Sequence, residues 1–406
     1  MPILFSDVTV VPMDGAPQVL EHAYVAVEGT KIASVGTEPP EGTFDRVVDG
    51  AGKVLLPGFV NAHTHLPMTL MRGYGGGCDL HTWLNQYIFP AEARLDSRAV
   101  AAGAGLGLAE MIASGVTCVA DMYMHTGTIA EQILEAGISA NLSCGGVYFG
   151  APEDFSPETC GDCRNQAALT EEWHGAGAGQ ILVDASVHGE YTSNPPLWRW
   201  MAEYAAEHRL GMHVHVSETQ SEHQASLERW GKTPIQALDG CGVWDCGRSL
   251  AAHCVYTTEE DWALMAEKGI SCVHNPWSNL KLGSGVAPIP AMMRAGVNVA
   301  LGTDGMSSHN SADLFSDIKL AAVLHNGVER DPMAVNAWAA LEMATVNGAR
   351  ALGRDTGVIA PGKTADLILV DLSAPNLIPC HDPVEDLVFS AHGSNVEMNM
   401  ARGQVI

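Results

Sequence analysis

The chain has 406 residues, of which 47% are hydrophobic and 17% are charged. This length suits one large barrel-type domain or two ordinary ones. The composition is that of a soluble protein with a large core, and it excludes a disordered chain. Because the sequence has no run of about 18 apolar residues, we expect no membrane span and no membrane partner.

The charge balance is strongly acidic, since 47 Asp and Glu against 21 Lys and Arg give a net charge of −26. The sequence has no basic cluster that could neutralise phosphates, so we expect no nucleic-acid partner. The first seven residues, MPILFSD, lack the basic start and the apolar run of a secretory signal. We therefore expect a cytoplasmic protein.

Most of the ten cysteines read as reduced, packed thiols, because several lie within apolar runs. Cys160 and Cys163 differ, since they form a C-x-x-C in a polar stretch. Together with Cys241 and Cys246 they could hold a zinc ion, but the spacings are poor and no second C-x-x-C exists. We favour a plain loop.

The two chain ends have similar patterns. Residues 3–11 and 23–35 are rich in β-formers and are punctuated by Gly and Pro, as expected of antiparallel strands and hairpins. Residues 362–371 read as a turn followed by an apolar strand. The two ends could therefore share one small sheet domain.

Between the ends, short apolar runs alternate with helix-like segments such as 97–114, 196–207 and 313–324, which is typical of repeated βα units. Eight units can be counted, and about 250 to 300 residues is the usual size of a (β/α)8 barrel. Their strands are predicted at 55–66, 116–123, 138–147, 181–191, 212–218, 250–255, 270–276 and 297–304.

Ligand and acid/base side chains fall at the C-terminal ends of these strands, the face where barrel enzymes carry their active sites. They are His63, His65, His188, His215 with Glu218, His253, His274 and Asp304. Such a ring of side chains around one end of the predicted barrel indicates a single polar site.

Two H-x-H pairs stand out. The period of two in a strand places His63 and His65 on the same inward face, where they form a chelating pair; the alternative is two packed core histidines. In the second pair, His215 lies nearer the strand end than His213. We expect His215 to be the third ligand and His213 to pack or to support another ligand.

Asp304 ends the eighth predicted strand, where a carboxylate can touch both a metal ion and an attacking water. The alternative is that Asp304 caps the following helix. Three imidazoles and one carboxylate suit one Zn²⁺ ion, although Fe²⁺ and Mn²⁺ tolerate the same donors.

Four segments resemble the successive signatures of the amidohydrolase superfamily, and the similarity covers nearly all of the chain. They are residues 57–65 (PGFVNAHTH), 213–219 (HVHVSET), 252–254 (AHC) and 302–304 (GTD). Three further segments resemble the branch that contains 5′-methylthioadenosine/S-adenosylhomocysteine deaminases and chlorotriazine hydrolases. They are residues 67–73 (PMTLMRG), 83–84 (WL) and 89–93 (FPAEA).

The resemblance implies an α/β architecture, with a (β/α)8 TIM-type barrel over residues 55–355 and a composite β-sandwich domain formed by residues 1–54 and 356–406. Members with two metal ions carry a bridging Lys at the fourth strand. Residues 185–190 of this chain read ASVHGE, without Lys. We therefore expect one metal ion per chain. Many relatives are oligomeric, so we also expect a homo-oligomer.

The implied activity is hydrolytic deamination of a 6-aminopurine nucleoside such as adenosine, 5′-methylthioadenosine or S-adenosylhomocysteine. Glu218 is expected to carry a proton from water to the ring nitrogen beside the attacked carbon. Asp304 is expected to hold the nucleophile and to help move the second proton. His253 is expected to hydrogen-bond the developing oxyanion.

Three substrate contacts beyond Glu218 follow from the same resemblance. Glu92 would bind the ribose hydroxyls, His188 would contact the purine-ribose unit, and Trp83 would line the pocket. The alternatives are a solvated helix residue at Glu92 and a packed interior histidine at His188.

Two other functions remain open from the sequence alone. The same site could deaminate or hydrolyse a pterin, a guanine-like base or an s-triazine, because members of the branch differ mainly in their loops. A barrel that has lost catalysis is the second alternative, and the full set of candidate ligands speaks against it.

Several residues near the predicted mouth have no assigned role. His274 and His309 are expected to line the pocket. Cys78 and His81 belong to a Gly-rich loop that either closes over substrate or is simply a loop.

In the deaminases that the chain resembles, an Arg at the end of the third strand binds the homocysteine carboxylate. Residues 141–149 of this chain contain no Arg, and the next cation is Arg164. We therefore expect substrates without a carboxylate to be preferred, unless Arg164 folds back over the site.

Overall fold

The computed structural model describes residues 2–15 and 17–406. The strands, numbered along the chain, are β1 (Ile3–Val10), β2 (Leu20–Glu28), β3 (Lys31–Gly36), β4 (Arg46–Asp49), β5 (Lys53–Pro57), β6 (Phe59–His65), β7 (Val116–Met122), β8 (Ser139–Ser143), β9 (Ile181–Val183), β10 (Ala185–Gly189), β11 (Met212–Val216), β12 (Ser249–His253), β13 (Ile270–His274), β14 (Val299–Leu301), β15 (Asp304–Gly305), β16 (Leu367–Asp371), β17 (Val396–Ala401) and β18 (Gln404–Val405).

The α-helices are α1 (Leu80–Trp83), α2 (Phe89–Glu92), α3 (Ser97–Ala113), α4 (Thr126–Ala136), α5 (Gly161–Trp173), α6 (Ala176–Gly179), α7 (Pro195–His208), α8 (Gln220–Trp230), α9 (Pro234–Asp239), α10 (Glu259–Lys268), α11 (Pro276–Lys281), α12 (Ile289–Arg294), α13 (Leu314–Glu329), α14 (Ala337–Ala344), α15 (Val346–Leu352) and α16 (Pro383–Phe389). A π-helical turn (Leu84–Ile88) joins α1 to α2, and 3₁₀ turns cover Leu66–Met71, Pro152–Asp154, Glu190–Thr192 and Gly393–Asn395.

Both chain ends belong to one mixed sheet of eight strands, in the order β18-β17-β16-β5-β1-β2-β3 with β4 on β1. Strand β5 joins the two ends, because it pairs in parallel with β1 and antiparallel with β16. The prediction that the two ends share a sheet domain agrees with this pairing.

The predicted single strand over residues 55–66 is wrong, because the chain changes sheet at Gly58. Strand β5 stays in the terminal sheet, whereas β6 pairs in parallel with β7. A side chain at position 58 would collide with Thr117, so only glycine permits this close approach.

The middle of the chain forms parallel sheets of a TIM-barrel-like α/β fold. One sheet has the order β10-β11-β12-β13-β14 and the other β15-β6-β7-β8-β9. The predicted fourth strand is interrupted at Asp184 and ends two residues early, at Gly189. The predicted eighth strand begins two residues late, at Val299, and is interrupted at Gly302 and Thr303. The neighbouring strands therefore follow one another along the chain, as expected of βα units.

The three long helices named from the pattern are present with shifted ends. Asp96 caps α3 by accepting a hydrogen bond from the Ala99 amide. Helix α13 runs on to Glu329, beyond the predicted end at residue 324. The pattern failed there because His325 looks polar, although it is buried with 1% of its surface exposed.

Apolar side chains from the parallel strands pack against each other and against α15. Val60, Ala120, Leu250 and Val273 from four strands pack with Leu352 of α15 in one buried cluster. This cluster lies between the parallel strands and α15. None of the helices in residues 2–15 and 17–406 is long and apolar enough to cross a membrane.

Candidate active site

Four histidines from β6, β11 and β12 meet at the C-terminal ends of the parallel strands. The ring centroids of His63 and His65 are 4.9 Å apart, and those of His63 and His215 are 4.8 Å apart. The His253 ring lies 5.5 Å from His63. Alternation along β6 places its two histidines on the same side, as the H-x-H spacing predicts.

Three of these rings are fixed through Nδ1, which leaves each Nε2 free to face a common centre. The Nδ1 contacts are His63 to Nε2 of His213 at 2.8 Å, His65 to the carbonyl oxygen of Met122 at 2.6 Å, and His215 to the carbonyl oxygen of His188 at 2.6 Å. His213 thus lies behind His63.

Asp304 completes this group from the eighth strand position. Its Oδ1 lies 3.3 Å from Nε2 of His63 and 3.1 Å from Nε2 of His65. Its Oδ2 accepts hydrogen bonds from the hydroxyls of Ser278 at 2.6 Å and Ser308 at 2.7 Å. One carboxylate oxygen is therefore occupied by hydroxyl donors, and the other faces the imidazoles.

The donor set fits a divalent metal ion. Donor atoms of His63, His65 and Asp304 lie within 4.8 Å of one another, as do those of His63, His215 and His253. The Nε2 atom of His63 is buried and has no hydrogen-bond partner among the described residues. Burial holds the pKa of His63 and of His215 well below the usual range, which favours the neutral, metal-binding form.

His253 occupies a second position beside this group. Its Nδ1 lies 2.8 Å from Oδ1 of Asn279, and its Nε2 lies 3.8 Å from Oε2 of Glu218. His253 therefore lies beside the donor atoms of His63 and His215 and next to Glu218.

Glu218 follows β11 by two residues and is buried, with 4% of its surface exposed. Its Oε1 lies 3.5 Å from the Ser284 hydroxyl. Burial raises the pKa of Glu218, and the nearby His253 opposes this effect. A carboxyl group in such surroundings can hold a proton and release it again.

The backbone is strained at three of the strand ends that build this group. Ser217, His253 and Asp304 have φ angles of 49°, 72° and 59°, in the left-handed region that non-glycine residues rarely adopt. Each such residue costs on the order of 1–3 kcal/mol, and such strain persists where the surroundings impose it, commonly at active sites.

A cavity of about 370 Å³ opens onto the group, a volume in the range of small-molecule pockets. Trp83, Glu92 and His188 line it together with Glu218 and Asp304. Burial raises the pKa of Glu92 and lowers the pKa of His188 to about 4. All four predicted substrate contacts thus face the same cavity as the candidate ligands.

Two predicted pocket residues lie elsewhere. Nε2 of His274 contacts Nε2 of His325 in α13 at 3.0 Å, and Nε2 of His309 lies 2.8 Å from Oδ2 of Asp317. Neither histidine lines the cavity. The expectation was wrong because each ring turns toward a buried partner on α13. Cys78 and His81 do not line the cavity either, although the helical segment that follows does.

The C-x-x-C is not a loop but the start of α5, where Cys160 precedes the first helical turn and Cys163 lies within it. Both thiols are buried and free. No cysteine of the described chain joins a candidate metal cluster. Arg164 donates to the carbonyl oxygens of Glu158 and Thr159, at 2.9 and 3.3 Å, and does not fold over the cavity.

Sequence reasoning missed residues that hold the site in place. Glu222 is buried, and its carboxylate accepts the amide of Ser217 at 2.8 Å and that of Glu218 at 2.7 Å. Thr219 begins a T-x-x-E capping pattern that ends at Glu222, which is the signal that could have identified it. Asn279, Ser278 and Ser308 carry no comparable local signal.

Comparisons with known proteins agree with this geometry. A model of the amidohydrolase family matches residues 54–406. The 5-methylthioadenosine/S-adenosylhomocysteine deaminase of Moorella thermoacetica is 41% identical, over 100% of this chain and 94% of that protein. The 5′-deoxyadenosine deaminase of Methanothermobacter thermautotrophicus is also 41% identical, over 95% of this chain and 90% of that protein.

Solved structures are also similar to nearly the whole of this chain. An adenosine deaminase from Xanthomonas campestris with bound zinc has a TM-score of 0.92 at 34% identity, covering 99% of this chain and 92% of that one. An atrazine chlorohydrolase from Arthrobacter aurescens complexed with zinc has a TM-score of 0.91 at 25% identity, covering 99% and 94%. Since the family model spans most of the sequence and relatives align with all of it, the chain belongs to the amidohydrolase family.

Proposed function

We propose that this chain is a metal-dependent hydrolytic deaminase of a 6-aminopurine nucleoside, which replaces the exocyclic amino group with oxygen from water and releases ammonia. The observation that carries the proposal is the buried group of three imidazoles and Asp304 beside Glu218, at one end of the 370 Å³ cavity. The names of the relatives that align with nearly all of the chain support the same reaction and substrate class.

One divalent ion would be held by His63, His65, His215 and Asp304. We expect Zn²⁺, as in the two solved relatives, and Fe²⁺ or Mn²⁺ would suit the same donors. Strands β9 and β10 contain no Lys, and the two candidate clusters in the described part of the chain share His63, which supports a single ion. When bound, the ion would supply a nucleophile at neutral pH by lowering the pKa of a water molecule.

The remaining steps belong to the side chains. Glu218 would accept a proton from water and deliver it to the ring nitrogen beside the attacked carbon. His253, whose Nδ1 donates to Oδ1 of Asn279, would hydrogen-bond the hydroxide or the developing oxyanion through Nε2, and it would donate to the oxyanion when both ring nitrogens carry a proton. Asp304, whose Oδ2 is held by two serines, would pass the second proton to the departing ammonia.

The substrate would lie along the cavity with its amino group at the imidazoles. Glu92 would bind the ribose hydroxyls, His188 would contact the purine-ribose unit, and Trp83 would pack against the substrate. Their common position on the cavity wall supports these roles.

We further propose that the parallel strands close into one eight-stranded barrel. The parallel pairing of β15 with β6 and the short interruptions within the fourth and eighth strands support closure. The terminal segments 1–54 and 356–406 would form a separate β-sandwich, with the boundary to 55–355 moved to Gly58. Leu55, Leu367 and Leu369 support this, since they pack in an apolar core distinct from that of Val54, Leu56 and Ile368.

A second candidate is a deaminase or hydrolase of another N-heterocycle, a pterin, a guanine-like base or an s-triazine. The similarity to the atrazine chlorohydrolase favours it, because that relative shares the fold over almost the whole chain. Homo-oligomer formation and a cytoplasmic location remain predictions.

A substrate panel tests the proposal. Metal-replete protein should release ammonia from adenosine, 5′-deoxyadenosine or 5′-methylthioadenosine, measured by a coupled ammonia assay and by the ultraviolet change from adenine to hypoxanthine. Release of chloride from a chlorotriazine, or of ammonia from guanine or a pterin only, would support the second candidate instead. Elemental analysis should give about one metal ion per chain.

A further inference from the structure

One part of the cavity wall is built by the segment that follows β8, the third parallel strand, and by the start of α5. Its chemistry differs from that of the metal-binding end. Val147 and Phe149 follow β8, Asp162 lies in the first turn of α5, and all three line the cavity. The Asp162 Oδ2 accepts a hydrogen bond from the Val147 amide at 2.8 Å, which ties the carboxylate to this wall. We call these three residues the third-strand wall.

The third-strand wall is continuous with the proposed nucleoside contacts. Gly145, two residues before Val147, is a neighbour of His188, because a Cβ at position 145 would lie in van der Waals contact with Cδ2 of His188, at 4.0 Å. In an adenosine derivative, the 5′ substituent is the part most distant from the amino group. With the amino group at the imidazoles and the ribose beside His188, the 5′ substituent would reach this wall.

The residues around this part of the cavity are apolar, neutral polar such as Thr192, or acidic. Leu80, Leu84 and Phe89 of the α1–α2 segment line the cavity as well. Outside the metal-binding end, the carboxyl groups among the lining residues are those of Asp162 and Glu92. Neither Arg nor Lys lines the cavity within the described residues.

Arg164 does not place a positive charge at the third-strand wall. It lies two residues after Asp162, but its guanidinium is turned to the carbonyl oxygens of Glu158 and Thr159 on the exposed surface. A bound carboxylate would therefore lose its hydration without a guanidinium partner and would face a second negative charge at Asp162.

We propose that the third-strand wall makes this enzyme selective for adenosines whose 5′ substituent is uncharged or cationic, such as 5′-deoxyadenosine and 5′-methylthioadenosine, and that Asp162 is the residue that disfavours a carboxylate there. This inference rests on the proposed function. It assigns Asp162 a role in substrate selection that is separate from the chemistry at the metal-binding end.

Matched substrates test the selectivity without altering the protein. 5′-Carboxymethylthio-adenosine and its neutral carboxamide differ only in charge at the tail. The kcat/KM of wild-type protein should be at least about tenfold higher for the amide. The difference should shrink as ionic strength rises, because salt screens the repulsion. Equal kcat/KM values, or a preference for the carboxylate, would overturn the proposal.

The variant Asp162→Asn tests the residue. The amide oxygen can still accept the Val147 hydrogen bond, so the wall should keep its shape while losing its charge. We expect the ratio of kcat/KM for the carboxamide to kcat/KM for the carboxylate compound to fall about fivefold, as removal of one like charge at close range should give. Asp154→Asn, an exposed acid in the preceding 3₁₀ turn, is the matched control and should change neither value.

The outcomes separate the two hypotheses. If no nucleoside is deaminated, the proposed function fails. If nucleosides are deaminated but Asp162→Asn leaves the ratio of the two kcat/KM values unchanged, only the role of Asp162 fails. Should the variant prove unstable, the wild-type ratio and its salt dependence still decide whether the wall discriminates by charge.

Discussion

Buried polar and charged groups have different surroundings at the two ends of the parallel strands. At the C-terminal end, the buried Nε2 of His63 has no hydrogen-bond partner among the described residues, and Ser217, His253 and Asp304 hold strained backbone angles. At the N-terminal end, the buried Asp184 and the half-buried Arg354 have hydrogen-bond partners for both carboxylate oxygens and all three guanidinium nitrogens. The first arrangement costs stability, whereas the second provides it.

The N-terminal network joins residues that are far apart in the sequence. Oδ2 of Asp184 accepts from Asn141 at 2.8 Å, and its Oδ1 accepts from the Gly211 amide and from Arg248. Arg354 donates to Oδ1 of Asn141 at 2.9 Å and to two backbone carbonyl groups. The polar atoms of Asp184 and Arg354 are thus engaged by protein partners, and barrel enzymes generally act at the opposite end of the strands.

The difference predicts that mutations at the two ends change different quantities. The largest effect should come from His215→Ala, which removes a donor from the C-terminal group. We expect the metal content to fall and activity to drop by a thousandfold or more, on the order of the advantage that a metal-activated water gives. Elemental analysis and turnover measure both, and His22→Ala, an exposed histidine of the terminal sheet, is the control. Full activity in His215→Ala would contradict the assignment of a single metal ion.

At the N-terminal end, Asp184→Ala leaves Arg248 and Asn141 without a shared acceptor. The free energy of unfolding should fall by about 3 kcal/mol, the usual cost of breaking a buried ion pair, while activity per folded molecule stays close to wild type. Urea unfolding and turnover of the folded fraction separate the two quantities. A large loss of turnover with unchanged stability would show that the contrast between the ends is wrong.

Glu218→Gln should show the reverse of Asp184→Ala, namely lower activity with unchanged stability. It preserves the shape of the side chain but removes its ability to exchange a proton, so the rate should fall by about a hundredfold or more. Metal content and the unfolding midpoint should not decrease. Retention of most of the turnover with metal still bound would mean that another group moves the proton.

Much of the site could be predicted because its residues obey local rules. The period of two in β6 places His63 and His65 together, and the C-terminal ends of parallel strands share one face, so His215, His253 and Asp304 follow from strand ends alone. The TIM-barrel-like α/β architecture followed from the count of βα units for a similar reason, since each unit has its own local pattern.

The features that escaped prediction depend on contacts between distant segments. Gly58 separates β5 from β6 at a point where Thr117 packs against it, and the ring of His274 turns away from the cavity to contact His325. Nothing within a few residues of either position encodes these neighbours. The start of α5 at Cys160 was missed for a local reason, because a polar C-x-x-C resembles a loop.

The smallest predicted effect concerns Glu222. Like Asp184 at the N-terminal end, it has hydrogen-bond partners for both carboxylate oxygens, yet it lies at the C-terminal end of the strands. Its two oxygens hold the amides of Ser217 and Glu218 and so fix the strained turn that aims the proposed proton carrier. In Glu222→Gln, one oxygen becomes an NH₂ group that faces an N–H donor, so one amide loses its acceptor. We expect kcat to fall about tenfold, the range reported for residues that support a catalytic group, with KM and metal content nearly unchanged. Glu228→Gln, an exposed acid on the same helix, should leave kcat unaltered. If Glu222→Gln lowered only the unfolding midpoint and kept the wild-type kcat, Glu222 would be a helix cap and not a positioning residue.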